Sequence, residues 1–187
     1  FWVAAGTWCE LLCGGGDCNY GVRIFYSGTL HLTCSDANTA SAADTAVACD
    51  TMETYALGGA AFIRCESQQD HVCRAMQFQG ATGSLRLHCS GGGTQCRKLN
   101  LDTGAVATQL VCDSQRSCRG AIVRGGAGYL SVICSATESC SDIRQIVGGP
   151  GGLHISCEAP DSCDPTTSGR LAVSSVGIGA DISIVCR

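Results

Sequence analysis

The chain has 187 residues, a net charge of -4, a pI near 5.4, sixteen cysteines and only 5% aromatic residues. The acidic balance argues against a nucleic-acid partner, because phosphate binding needs concentrated Lys and Arg, and no apolar run approaches the roughly 18 residues of a membrane span. Few large side chains are left for a layered core, while an even, high cysteine count reads as a disulfide framework made in an oxidising compartment, outside the cell or on its surface.

The chain begins at Phe1 without Met, and the expectation is a removed signal peptide or a longer precursor. Residues 1–17 precede the first repeat and hold three of the ten aromatic residues, Phe1, Trp2 and Trp8. This segment is expected to cap the fold or to serve in assembly.

From Cys18 onward one frame recurs. Segments run Cys18 to Cys34, Cys49 to Cys65, Cys73 to Cys89, Cys96 to Cys112, Cys118 to Cys134, Cys140 to Cys157 and Cys163 to Cys186. After the second, their starts lie 24, 23, 22, 22 and 23 residues apart, the signature of a stacked repeat. Each second half alternates with period two: Leu30-Leu32-Cys34, Ala61-Ile63-Cys65, Leu85-Leu87-Cys89, Thr108-Leu110-Cys112, Leu130-Val132-Cys134, Leu153-Ile155-Cys157 and Ile182-Ile184-Cys186. Alternate side chains on a strand share a face, so each triplet points inward. The first halves predict a shorter strand, as in Met76 and Phe78 or Leu99 and Leu101.

Glycine-bearing bends such as Gly80 to Gly83, Gly125 to Gly128 and Gly148 to Gly152 join the two halves as turns. Short polar loops lead from each closing Cys to the next opening one. The fold class is therefore an all-β parallel β-helix, a solenoid of about seven coils of roughly 22–24 residues, forming a single domain over 18–187. The Ala-, Ser-, Thr- and Asp-rich stretch 35–48 interrupts it as an inserted loop, a candidate for O-linked sugar. No Asn-x-Ser or Asn-x-Thr site for N-linked sugar is present.

Two disulfide schemes use this frame. One joins the two ends of each segment and leaves Cys9 and Cys13 over. The other joins the ends of each corner: Cys34–Cys49, Cys65–Cys73, Cys89–Cys96, Cys112–Cys118, Cys134–Cys140 and Cys157–Cys163. The corner scheme is preferred because a five-residue loop readily brings its ends within the roughly 4.4–6.8 Å between Cα atoms that a disulfide requires. The pairing of Cys9, Cys13, Cys18 and Cys186 stays open. Zinc is not expected, since there is no C-x-x-C pair and only four His.

The spacing Cys134-Ser-Ala-Thr-Glu-Ser-Cys140, repeated at Cys112 to Cys118 and Cys157 to Cys163, resembles the corner staples of insect antifreeze solenoids. The frame as a whole is similar to cysteine-rich parallel β-helix repeats of secreted and surface proteins of microbial eukaryotes. Ice binding would require a regular outward array, typically threonine. The outward columns read His31, Phe62, Arg86, Gln109, Ser131, His154, Ser183 and Thr33, Arg64, His88, Val111, Ile133, Ser156, Val185, and neither is regular. A staple alone does not carry the function.

Other chemistry is sparse. The corner acids Glu66, Asp70, Asp113, Glu138, Glu158 and Asp161 raise a polysaccharide-hydrolase reading, against which stands ordinary surface charge. His31, Arg86, His88 and His154 share a strand face, and Arg86 with His88 could form an anion patch. No nucleophile elbow or phosphate loop is present, no cofactor is expected, and the chain is not read as an enzyme.

The ends of the ladder draw the main functional expectation. Phe1, Trp2, Val3 and Trp8 at one end, and Ile182, Ile184 and Cys186 at the other, are candidate assembly residues. A head-to-tail contact that does not close builds a filament, so the expected function is an extracellular structural fibre with itself as partner. The alternative is a secreted module binding a glycan or an ice surface.

Overall fold

The computed structural model describes residues 2–14, 18, 22–35, 48–67, 72–80, 83–92, 94–163, 172–175 and 181–186. Sixteen strands follow one another, with no helix among the described residues. The first eight are β1 (Trp2–Val3), β2 (Trp8–Gly14), β3 (Arg23–Tyr26), β4 (Thr29–Ser35), β5 (Glu53–Ala56), β6 (Ala60–Ser67), β7 (Gln77–Gly80) and β8 (Ser84–Gly91). The rest are β9 (Asn100–Thr103), β10 (Ala107–Asp113), β11 (Ile122–Arg124), β12 (Tyr129–Cys134), β13 (Gln145–Gly148), β14 (Leu153–Cys157), β15 (Ala172–Ser175) and β16 (Ile182–Cys186). Odd strands form one eight-stranded parallel sheet and even strands another, each in chain order. The chain is the cysteine-rich parallel β-solenoid that its repeat predicts, and each odd–even strand pair is one rung.

The inward triplets stack in register. Cys13, Cys34, Cys65, Cys89, Cys112, Cys134, Cys157 and Cys186 make one column on the even sheet, with an aliphatic column two residues before it. Leu32, Ile63, Leu87, Leu110, Val132 and Ile155 in that second column are almost wholly buried. Against them the odd sheet packs Ile24, Tyr26, Phe78, Leu101, Val123 and Ile146 in the same core cluster. Full burial of one such side chain contributes about 1.5–3 kcal/mol. Thr108 interrupts the aliphatic column four residues before the cysteines, aligned with Leu85 and Leu130, and its hydroxyl meets that of Thr103 at 2.9 Å across the core, so the buried polar group is satisfied.

Residues ahead of Cys18, set apart in the sequence as a cap or assembly element, supply β1 and β2. These pair with β3 and β4 and continue both sheets by one rung. Cys9-Leu11-Cys13 is the inward triplet of that rung, aligned with Leu30-Leu32-Cys34. Of the 35–48 insertion, only the two boundary residues are described; the rest lies outside the described residues.

Bridges join Cys34–Cys49, Cys65–Cys73, Cys89–Cys96, Cys112–Cys118, Cys134–Cys140 and Cys157–Cys163, with Cα separations of 5.9–6.2 Å. A seventh joins Cys13 to Cys18, and Cys9 and Cys186 are free thiols. These stapled corners hold non-glycine residues in the left-handed region, among them Cys49, Thr51, Cys73, Ala75, Cys96 and Lys98. Each such residue costs on the order of 1 kcal/mol, a cost opposed by the disulfides and by amide bonds from rung to rung such as Cys73 to Ala48.

At the opposite corner glycine acts mainly through its missing side chain. A Cβ on Gly128 would lie 1.4 Å from the Val106 carbonyl oxygen, and its φ is not in the left-handed region. Positive φ is the requirement at Gly80 and Gly152, whereas at Gly128 it is the close approach of successive rungs.

Candidate functional site

On the even sheet the residues between the inward positions face out and stack from rung to rung. Successive rungs lie about 4.8 Å apart, close enough for neighbouring side chains of one column to touch. The register aligns Glu10, His31, Phe62 and Arg86 in one column, and Leu12, Thr33, Arg64 and His88 in the next. Between these columns, over the first four rungs, lies a groove of about 300 Å³ lined by Glu10, His31, Thr33, Phe62, Arg64, Arg86 and His88.

The groove has an aromatic floor and charged walls. The Phe62 ring stacks on His31 at 4.9 Å with 28° between planes, and Trp8 meets His31 edge-on at 6.3 Å. Phe62 remains 42% exposed, an amount that leaves its outer face open to a ligand. Arg64 pairs with Glu66, and His88 Nε2 lies 3.6 Å from Asp113 Oδ2. Among the described residues no carboxylate pairs with Arg86. A second hollow of about 380 Å³ shares Phe62 and Arg86 and extends past Ala107 and Gln109 to Ser131 and the exposed Tyr129.

This arrangement can hold a polar ligand with flat apolar faces. Phe62 provides a stacking surface, Arg86 a planar cation with five donors, and Glu10, Thr33 and Gln109 further polar groups. His31, Arg86 and His88 come together here, but His154 stands three rungs beyond Arg86. Glu10 and Trp8 were not among the ligand-site candidates in the sequence because their rung lacks an opening cysteine and a leading aliphatic residue. The insertion between Cys34 and Cys49 hid the neighbourhood of His31 and Phe62.

Of the corner acids, Asp113, Glu138 and Glu158 have side-chain partners, while Asp161 is exposed and has none among the described residues. Glu138 takes the Arg116 guanidinium at 2.6 Å, which raises the Arg116 pKa, chiefly through that hydrogen bond. Ser135 donates to Asp113 at 3.0 Å, and Ser156 to Glu158 at 3.2 Å. Asp70 lies outside the described residues. Cys34, Cys49 and Cys73 bring three sulfurs within 4.8 Å, but all three are in disulfides and offer no thiolate to a metal.

On the odd sheet a second outward aromatic column is formed by Trp2, Phe25 and Tyr55, stacked at 6.2 Å and 4.9 Å. The Tyr55 hydroxyl donates to Glu53 at 2.9 Å, and Arg23 Nε approaches the same oxygen at 2.8 Å. The hydroxyl bond first, and Arg23 after it, hold the Glu53 carboxyl below its ordinary pKa; the same bond holds Tyr55 above its own.

The candidate assembly residues divide between the ends. Trp2 and Trp8 are 60% and 69% exposed on the outer faces, whereas Val3 on the same first rung points into the core at 4%. Ile182 and Ile184 are 47% and 53% exposed although they align with the buried Leu153 and Ile155. Cys186 beside them is also exposed, and Phe1 lies outside the described residues. Seven rung steps, on the order of 34 Å, separate the two groups.

Comparison with family models, with curated proteins and with solved structures finds no match for the chain.

Proposed function

We propose that this protein is a secreted ligand-binding module that holds a glycan on the outer face of its even sheet, in the groove of His31, Phe62, Arg86 and His88, without catalysing its conversion. One observation carries the reading: an exposed aromatic ring and an arginine without a carboxylate partner among the described residues share two adjoining hollows. Ring faces of sugars pack on aromatic side chains, and their hydroxyls and acidic groups suit a guanidinium fork. Seven disulfides and no helix long and apolar enough to cross a membrane, among the described residues, are consistent with export. A glycan screen with the intact protein, followed by titration of Phe62→Ala and Arg86→Ala, tests the reading. Binding that survives in both variants would overturn it.

A second reading, the head-to-tail fibre, is favoured by the exposure of Ile182 and Ile184 at core positions of β16. An exposed strand edge with an apolar inner row is a template for another strand. Sedimentation across a concentration series should then show growing particles, and Ile184→Lys should abolish them. A single sedimenting species at every concentration would exclude this second reading.

A further inference from the structure

The corner between each stapling disulfide and the next odd strand carries a column of its own. In three successive rungs the residue after the opening cysteine is an arginine: Arg74, Arg97 and Arg119. Backbone bonds fix their equivalence, since the amides of Thr51, Ala75 and Lys98 donate to the carbonyls of Arg74, Arg97 and Arg119 in turn. Consecutive members are therefore about 4.8 Å apart along the solenoid.

The outer two are anchored. Arg74 makes two bonds, of 2.7 and 3.3 Å, to Asp50, whose side chain is fully buried, and Arg119 Nε lies 2.5 Å from Asp142. The Arg97 side chain, half-buried between them, has no hydrogen bond or ion pair to any described residue, and the exposed Lys98 follows it. Guanidinium groups at this spacing repel one another, and each is permanently charged, so an unneutralised one flanked by two others favours an anion. The stripe stands out on a chain whose net charge is -4.

We infer that the Arg74–Arg97–Arg119 stripe with Lys98 is a binding strip for an acidic polysaccharide, one carboxylate or sulfate of which seats on Arg97. A polymer is favoured because equivalent cations recur rung after rung. Polysaccharide is favoured over nucleic acid because, among the described residues, none of the three arginines has a ring contact that would offer bases a stacking platform. The strip uses none of the residues of the groove.

The experiment titrates the protein with oligogalacturonate, which carries carboxylates, with a heparin oligosaccharide, which carries sulfates, and with a DNA duplex of similar length. Binding of at least one saccharide is expected at about 0.01 M salt and its loss near 1 M, as the screening length falls from roughly 30 Å to 3 Å. Arg97→Ala should weaken it by roughly tenfold or more, Arg97→Glu should abolish it, and the melting temperature of both should stay unchanged. Phe62→Ala, titrated beside them, reports on the groove. Loss in Phe62→Ala with retention in Arg97→Glu would overturn the strip and leave the groove standing. Failure of both saccharides at low salt, or duplex binding of equal strength, would also overturn it.

Discussion

Leu87 and Arg86 are adjacent on β8, yet they belong to columns that obey different rules. The inward columns keep aliphatic residues and cysteine through nearly every rung, because each side chain must fill the space left by the rungs above and below. The outward columns change identity at almost every step and concentrate their aromatics in the first three rungs, as Trp2-Phe25-Tyr55 on one face and Trp8-His31-Phe62 on the other. Uniform packing therefore builds the solenoid, and local departures on its surface give it places to bind.

The largest test of this difference sets the two neighbours against each other. Leu87→Ala opens a cavity in the buried column and should cost about 3 kcal/mol, whereas Arg86→Ala should change stability by no more than about 0.5 kcal/mol. Denaturant unfolding of the oxidised protein measures both. Equal losses would mean that the outward column also supports the fold.

The staples come next, and they differ among themselves. Cys34–Cys49 closes a sequence separation of 15 and Cys112–Cys118 one of 6. On loop-closure entropy alone, replacing the first pair by serines should cost about 3 kcal/mol and the second about 2 kcal/mol. The same unfolding measurement ranks them. A reversed order would show that strain at the left-handed corner residues, not chain entropy, sets the worth of each bridge.

Burial makes a residue legible, and this explains which parts of the fold the sequence discloses. The triplets from Leu30-Leu32-Cys34 to Ile182-Ile184-Cys186 stand out because every rung repeats the same demand. The rung of β1 and β2 is hidden because Cys9 replaces the leading aliphatic residue and Cys18 closes its corner from beyond a run of glycines. The groove is harder still, since nothing in the spacing of His31 and Phe62 betrays a ring contact across an insertion. The arginine stripe did leave a signal, the dipeptide Cys-Arg at 73, 96 and 118, which reads as scattered charge until the frame stacks it.

On the outer face itself, Phe62→Ala should lower glycan affinity by roughly tenfold while leaving the melting temperature within a few degrees, because the residue is already 42% exposed. Isothermal titration and a thermal melt of the same sample separate the two effects. A large fall in melting temperature would reassign the His31–Phe62 stack to stability.

The smallest expected effect concerns the other aromatic column and appears only as pH dependence. Tyr55→Phe keeps the ring on Phe25 but removes the hydroxyl that lowers the Glu53 carboxyl and is itself raised by it. A carboxyl depressed in the folded state contributes stability above its unfolded value, near 4.3, and loses it as pH falls through the folded value. A phenol raised in the folded state contributes below about 10 and loses its part as pH climbs through the folded value. Melting temperature plotted against pH should therefore be shallower at both the acid and the alkaline end in Tyr55→Phe, with Arg23 still supporting Glu53 on the acid side. Superimposable curves for the two proteins would show that the hydroxyl bond is equally populated in the unfolded chain. The Trp2-Phe25-Tyr55 column would then act through ring stacking alone.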